Sequence, residues 1–199
     1  MDREYLTLEH IEKSFGGNRA LKDVSFSVKK GTVHVLAGEN GAGKSTVLKI
    51  LCGNYHADSG EIYLEGNKIV AANPRQAQDL GIAMVYQELT LVSELTVEEN
   101  LFLSIEPKNK FGLIDRKEVR KRIFALMDEY DIHINPKAIA GRLSVAEQQM
   151  AEILKVLLKN PQIIILDEPT SSLQSEEVVK LFNICLLYTS PSPRDGATS

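Results

Sequence analysis

Along the first part of the chain, residues 5–11 and 24–28 alternate apolar with polar side chains, the period of half-buried strands. Lys29-Lys30-Gly31 supplies a turn, and residues 32–37 read as a further strand leading into a helix-like run from Val47 to Cys52. Glu61-Ile62-Tyr63-Leu64-Glu65-Gly66-Asn67-Lys68 has the form of a strand with a hairpin turn, and residues 74–80 that of a short helix. Ile82-Ala83-Met84-Val85-Tyr86 reads as a strand that ends at Gln87. The pattern predicts a β-rich opening followed by alternating β and α elements.

From about Leu89 the period lengthens. Residues 97–103 form a short helical pattern, Asp115-Arg116-Lys117-Glu118 has the spacing of a capping box, and Val119, Ile123, Leu126 and Met127 share one helical face. A helical subdomain over residues 89–160 is the prediction. Asn160-Pro161 ends its last helix before Ile163-Ile164-Ile165-Leu166, a continuously apolar strand of the kind that a parallel sheet covers on both faces. Beyond Ile184 the pattern lapses: Cys185-Leu186-Leu187-Tyr188-Thr189-Ser190-Pro191-Ser192-Pro193-Arg194-Asp195 carries no helical period. That string resembles one reading frame of a transposase-based sequencing adapter, so residues 185–199 are read as a non-native tail.

Composition changes this picture little. With 199 residues and 43% apolar content the chain can bury a core, and a net charge of -4 gives no general reason to expect a nucleic-acid partner. The two cysteines, Cys52 and Cys185, fit neither a metal spacing nor a disulfide framework. Cys52 reads as a small buried hydrophobe. No apolar stretch approaches the roughly 18 residues needed to cross a bilayer, and the N-terminus lacks the form of a signal peptide.

The candidate chemistry lies in two segments. Gly38-Glu39-Asn40-Gly41-Ala42-Gly43-Lys44-Ser45-Thr46 fits the phosphate-binding pattern GxxxxGK[ST] between a strand-like and a helix-like run. Gly38, Gly41 and Gly43 let the main chain bend toward an anion, Lys44 offers a point charge to the β- and γ-phosphates, and the Ser45 hydroxyl can reach Mg2+. Thr46 is a contact for the α-phosphate, and Asn40 a polar member of the loop. The second segment, Asp167-Glu168-Pro169-Thr170, follows the apolar strand; an acid there can hold Mg2+ and its neighbour can orient the attacking water, which assigns the metal to Asp167 and the water to Glu168. A nucleoside triphosphate with Mg2+ is the ligand these two segments imply together.

Between them lies Leu143-Ser144-Val145-Ala146-Glu147-Gln148-Gln149, and with it residues 4–184 resemble the ATP-binding subunits of ABC transporters, whose signature usually reads LSGGQ. The resemblance implies an α/β fold: a P-loop NTPase core of the ABC ATPase type with an N-terminal antiparallel β region and an inserted helical subdomain, here C-terminally truncated. On that reading residues 1–184 form an incomplete ATPase domain divided into 1–88, 89–160 and 161–184. It also implies that two such domains meet head to tail and that Ser144 completes the other domain's ATP site. Read from the residues alone, Ser144 with Glu147 three positions on is simply a helix start. Val145 and Ala146 replace the signature glycines, and Glu147 sets a carboxylate where a neutral amide is usual.

Other positions carry over one by one. Phe15 matches the aromatic that stacks on adenine, with a core phenylalanine as the plain alternative, and Gln87 matches the glutamine that senses Mg2+ and the lytic water. Ser171-Ser172-Leu173-Gln174 occupies the loop that usually reads SALD. No histidine follows Asp167, so the family's switch histidine is missing; His34 reads as structural. The resemblance implies Lys44, Gln87 and Glu168 as catalytic residues, with Ser45, Gln87 and Asp167 at the metal. Gly38-Glu39-Asn40, Met84-Val85-Tyr86-Gln87-Glu88-Leu89 and Phe111-Gly112-Leu113-Ile114-Asp115 resemble the importers of ribose, galactose or xylose. The implied partners are a second ATPase domain, transmembrane permease subunits and, indirectly, a sugar-binding protein, at the cytoplasmic face of the membrane. A soluble ABC-type ATPase acting on ribosomes or DNA, an ATPase for another solute, and a module that binds ATP without turnover stay open. The 199-residue chain alone is expected to fold poorly or hydrolyse ATP slowly.

Overall fold

The computed structural model describes residues 4–39, 41–168 and 175–189. The chain divides into two compact units, residues 1–82 with 181–199, and residues 83–180.

The first unit is built on an antiparallel sheet. Strands β1 (Glu4–Phe15), β2 (Asn18–Lys29), β3 (Ser59–Leu64) and β4 (Asn67–Ile69) lie in the order β2-β1-β3-β4. Tyr5, Leu6, Leu8, Ile11 and Leu21 turn inward, and helix α1 (Lys44–Leu51) adds Val47, Ile50 and Leu51 to the same core. Cys52, 3% exposed, is buried beside them as its sequence context predicts. Residues Glu65 (φ 51) and Gly66 (φ 79) both take the left-handed conformation that closes a tight two-residue hairpin between β3 and β4.

The register of β1 against β2 slips between Leu8 and Ile11, where His10 (φ 53) and Asp23 (φ 53) are both left-handed. Gly60 (φ 95) lies against this bulge; a Cβ there would stand 2.5 Å from the His10 carbonyl oxygen, so only glycine fits. Helix α2 (Pro74–Asp79) starts on Asn73, whose side chain accepts the Gln76 N-H, with proline in the first turn.

Residues 32–37 depart from the expected strand. They pair with no described strand, and Val33 and Val35 are 46% and 72% exposed. Alternation predicts an extended backbone, but a strand also requires a neighbour for its N-H and C=O groups. His34 stacks on Phe26 with ring centroids 5.5 Å apart.

In the second unit, β5 (Ile82–Val85) and β6 (Ile163–Leu166) form a two-stranded sheet, with helices α3 (Val97–Phe102), α4 (Arg116–Glu129) and α5 (Val145–Leu157). Every residue of β5 is buried, whereas in β6 only Ile165 is fully buried. The expectation of a strand covered on both faces therefore fails for β6, which has one hydrogen-bonded neighbour among the described residues. Helix α4 buries Val119, Ile123 and Met127, as their spacing predicts. Asp115 caps it through the Lys117 and Glu118 N-H groups, but Glu118 turns to Arg122 at 2.8 Å, so its i,i+4 ion pair replaces the expected reciprocal box.

Asn160 (φ 47) and Pro161 end the run after α5. Helix α6 (Ser175–Thr189) continues five residues past Ile184. Leu181 and Ile184 anchor it, and the following Cys-Leu-Leu-Tyr stretch contains no helix breaker, while Leu186 and Leu187 remain 57% and 54% exposed. Among the described residues no helix is long and apolar enough to cross a membrane.

Candidate functional site

Helix α1 begins directly on Lys44. Its N-cap is Gly43 (φ 87), which has no side chain to satisfy the first-turn N-H groups, and no acidic residue occupies that turn. The positive end of the helix dipole therefore stands without a built-in counter-charge. A Cβ on Gly43 would come within 2.6 Å of both the Ala20 carbonyl oxygen and Leu21 Cδ2, so glycine is required for the loop to pack on β2. Gly41 is also left-handed, and a Cβ on Gly38 would meet Ala42 Cβ at 3.5 Å. The Lys44 ammonium donates to the Gly38 and Glu39 carbonyl oxygens, each at 2.8 Å, folding over the loop it terminates. Ser45 and Thr46 are half-buried in the first turn, and Asn40 lies outside the described residues. An uncapped helix start, a cation and a glycine-bent backbone fit an anionic phosphate group.

Phe15 sits at the end of β1, paired in register with Asn18, close along the β1–β2 hairpin to the Ala20 carbonyl that Gly43 approaches. The ring is 41% exposed rather than a core residue. It meets Tyr55 edge to face at 5.1 Å, and Lys13 Nζ lies 5.4 Å from its centroid. Asp58 fixes this corner by accepting from Lys13 Nζ and from the Ser14 N-H, each at 2.7 Å. The Lys13 hydrogen bond, followed by that from Ser14, holds the Asp58 carboxyl below its ordinary pKa. Sequence reasoning missed Asp58 and Tyr55, whose partners are some forty residues away and follow no local period.

In the second unit Asp167 closes β6, 5% exposed, and its N-H donates to the Val85 carbonyl at 3.2 Å. This brings it beside the strand that leads to Gln87, which is exposed. Glu168 is exposed and left-handed, φ 46, an uncommon conformation for a residue with a side chain. Ser144 caps α5 in a full capping box: Glu147 accepts from the Ser144 N-H and hydroxyl, each at 2.8 Å, and returns its own N-H to the hydroxyl at 3.3 Å. The Ser171 to Gln174 segment lies outside the described residues.

The predicted site residues thus fall into two sets, Phe15 with the phosphate loop in one unit, and Gln87, Ser144, Asp167 and Glu168 in the other. Among the described residues no group of three or more His, Cys, Asp or Glu is arranged to hold a metal by itself. Mg2+ commonly uses one or two protein oxygens and takes the rest of its shell from water and phosphate; Ser45 in the first unit, and Gln87 and Asp167 in the second, each carry an oxygen donor of that kind.

A family profile described as "ABC transporter" matches residues 21–171. A putative ribose/galactose/methyl galactoside import ATP-binding protein of Hahella chejuensis is 46% identical over 179 residues, covering 90% of this chain and 35% of that protein. An arabinose import ATP-binding protein of Mannheimia succiniciproducens is 44% identical over 184 residues, covering 92% of this chain and 36% of that protein. The chain therefore spans about a third of the length of the curated relatives it matches. Among solved structures, the ADP conformation of an ATP-binding cassette of an ABC transporter superposes with a TM-score of 0.82 at 29% identity, over 94% of this chain and 77% of that one.

Proposed function

The chain belongs to the ABC transporter family, and we propose that it is part of the ATP-binding and hydrolysing subunit of a sugar importer. The observation that carries the ATPase reading is the uncapped start of α1, with Lys44 drawn over the Gly38 and Glu39 carbonyls. The sugar class rests on the relatives' names, which specify ribose, galactose, methyl galactoside and arabinose import.

Lys44 and the first-turn N-H groups of α1 bind the β- and γ-phosphates, Phe15 offers its exposed face to the base, and Thr46 contacts the α-phosphate. Ser45, Gln87 and Asp167 would hold Mg2+, which when bound neutralises charge on the phosphate oxygens. Glu168 orients and deprotonates the water that attacks the γ-phosphorus in line, as diphosphate oxygen leaves. Ser144 serves a second ATPase domain, and the segment after Gln87 faces permease subunits supplied by a sugar-binding protein. The subunit then works as a peripheral protein on the cytoplasmic face of the membrane.

The test is Lys44→Ala in the longer polypeptide to which the chain corresponds. Titration calorimetry with MgATP should show affinity lost, with turnover at background; unchanged binding and turnover would sink the assignment.

A further inference from the structure

Helix α5 carries a carboxylate that the catalytic scheme above does not use. Glu152 is 6% exposed, and it faces the loop after Gln87 rather than solvent. One of its oxygens accepts both the Thr90 backbone N-H and, at 2.7 Å, the Thr90 hydroxyl. Lys155 completes the group: its ammonium donates to the Thr90 hydroxyl at 3.0 Å and stands 3.7 Å from the second Glu152 oxygen. The buried charge is therefore both paired and hydrogen-bonded, and its partner is a loop residue three positions beyond Gln87.

The same loop is tied on its other side. The Gly141 and Ala140 N-H groups donate to the Ser93 and Leu95 carbonyls at 3.0 and 2.9 Å, and Gly141 packs so closely on Ser93 that a Cβ would stand 3.0 Å from the Ser93 Cβ. Asn100, 1% exposed, accepts the Val92 N-H at 2.7 Å and donates to the Val92 and Thr96 carbonyls at 3.0 and 3.1 Å. Residues 90–96 are thus fastened to the chain both before Ser144, at 140 and 141, and after it, at 152 and 155.

We propose that Glu152, acting through Thr90, is a positioning residue that makes the segment after Gln87 and the helix begun by Ser144 move as one body, so that a displacement at one reaches the other. The proposal rests on the ATPase reading above. Packing alone would not select this arrangement: the buried residues of α5 other than Gln149 and Glu152 are apolar, and an apolar side chain at 152 would fill the site without the cost of desolvating a carboxylate. Charge-assisted bonds to one loop residue give direction as well as contact.

The test uses the longer polypeptide with MgATP as the probe. In Glu152→Ala, kcat should fall by about tenfold with KM within about twofold of the parent, because the loss lies in assembling the reacting arrangement rather than in binding. Glu152→Gln keeps a carbonyl acceptor for Thr90 and should recover most of that loss. Thr90→Val, on an exposed side chain, removes only the hydroxyl and should lower kcat by a smaller factor. Hydrogen exchange adds a second readout: MgATP should slow exchange at residues 145–150 in the parent and not in Glu152→Ala. The proposal is overturned if folded Glu152→Ala keeps the parent kcat, if Gln recovers no more than Ala, or if the substitutions change melting temperature alone. Should Glu152→Ala not fold, an unchanged kcat in Thr90→Val overturns it equally. Lys44→Ala run in parallel separates the cases, since retained turnover there removes the ATPase reading itself.

Discussion

Glu168 holds a backbone conformation that costs a residue with a side chain roughly 1–3 kcal/mol, and it holds it in an exposed position one residue after the buried Asp167. Such strain persists only where the surrounding structure over-determines it. On the proposed reading, with Glu168 as the base, Glu168→Gln preserves shape while removing that base, so MgATP affinity should survive and kcat should drop by about two orders of magnitude or more in single-turnover assays. His10 offers a different residue-scale test. Its hydrogen bond to Asp23, 2.6 Å away, and then the Asp23 charge raise its pKa, although both side chains are largely exposed. A raised folded-state pKa gives stability that is fully present below the ordinary histidine value near ~6.5 and is lost as pH rises through the folded value. An NMR titration of the His10 ring should show the upward shift, and Asp23→Asn should abolish it. The helix start at Ser144 with Glu147, and the glycine bend that leads into Lys44, were legible because both are written in adjacent residues. Glu152, Thr90 and Asp58 were not, since each meaning depends on a partner that only the folded chain brings near.

Among the elements, α1 shows how far local pattern reaches. The sequence reads as helical from Val47, whereas α1 starts three residues earlier, at Lys44, and the reason glycine is indispensable just before it is the Ala20 carbonyl on β2, a tertiary fact. Gly43→Ala should destabilise the fold by about 1–3 kcal/mol through strain at φ 87 and the close approach to Ala20, read as a lowered urea midpoint with unchanged slope. Segment 32–37 marks the opposite case: its period was strand-like, yet pairing belongs to neighbours and not to the segment. The Asp115 start of α4 was legible as a cap, whereas the choice of Glu118 between that cap and Arg122 is made by side-chain geometry that spacing does not encode.

At the scale of the molecule, motif order along the chain sufficed to identify an ABC-type α/β ATPase fold, because a phosphate loop, a signature helix and a strand-end acid pair recur together. Surface character was less visible. Val35, Phe111, Leu113, Leu186 and Leu187 are each more than half exposed. Apolar groups in water drive association, so the 199-residue chain should self-associate as its concentration rises, and the double change Val35→Thr with Leu187→Lys should shift sedimentation toward the monomer.

The corner around Phe15 has a consequence for nucleobase choice. Asp58 already engages the Lys13 ammonium and the Ser14 amide, so on the proposed reading, in which Phe15 takes the base, an incoming purine meets chiefly a ring face, which gauges flatness and not the pattern of donors and acceptors along the edge. Guanine should therefore be taken almost as readily as adenine.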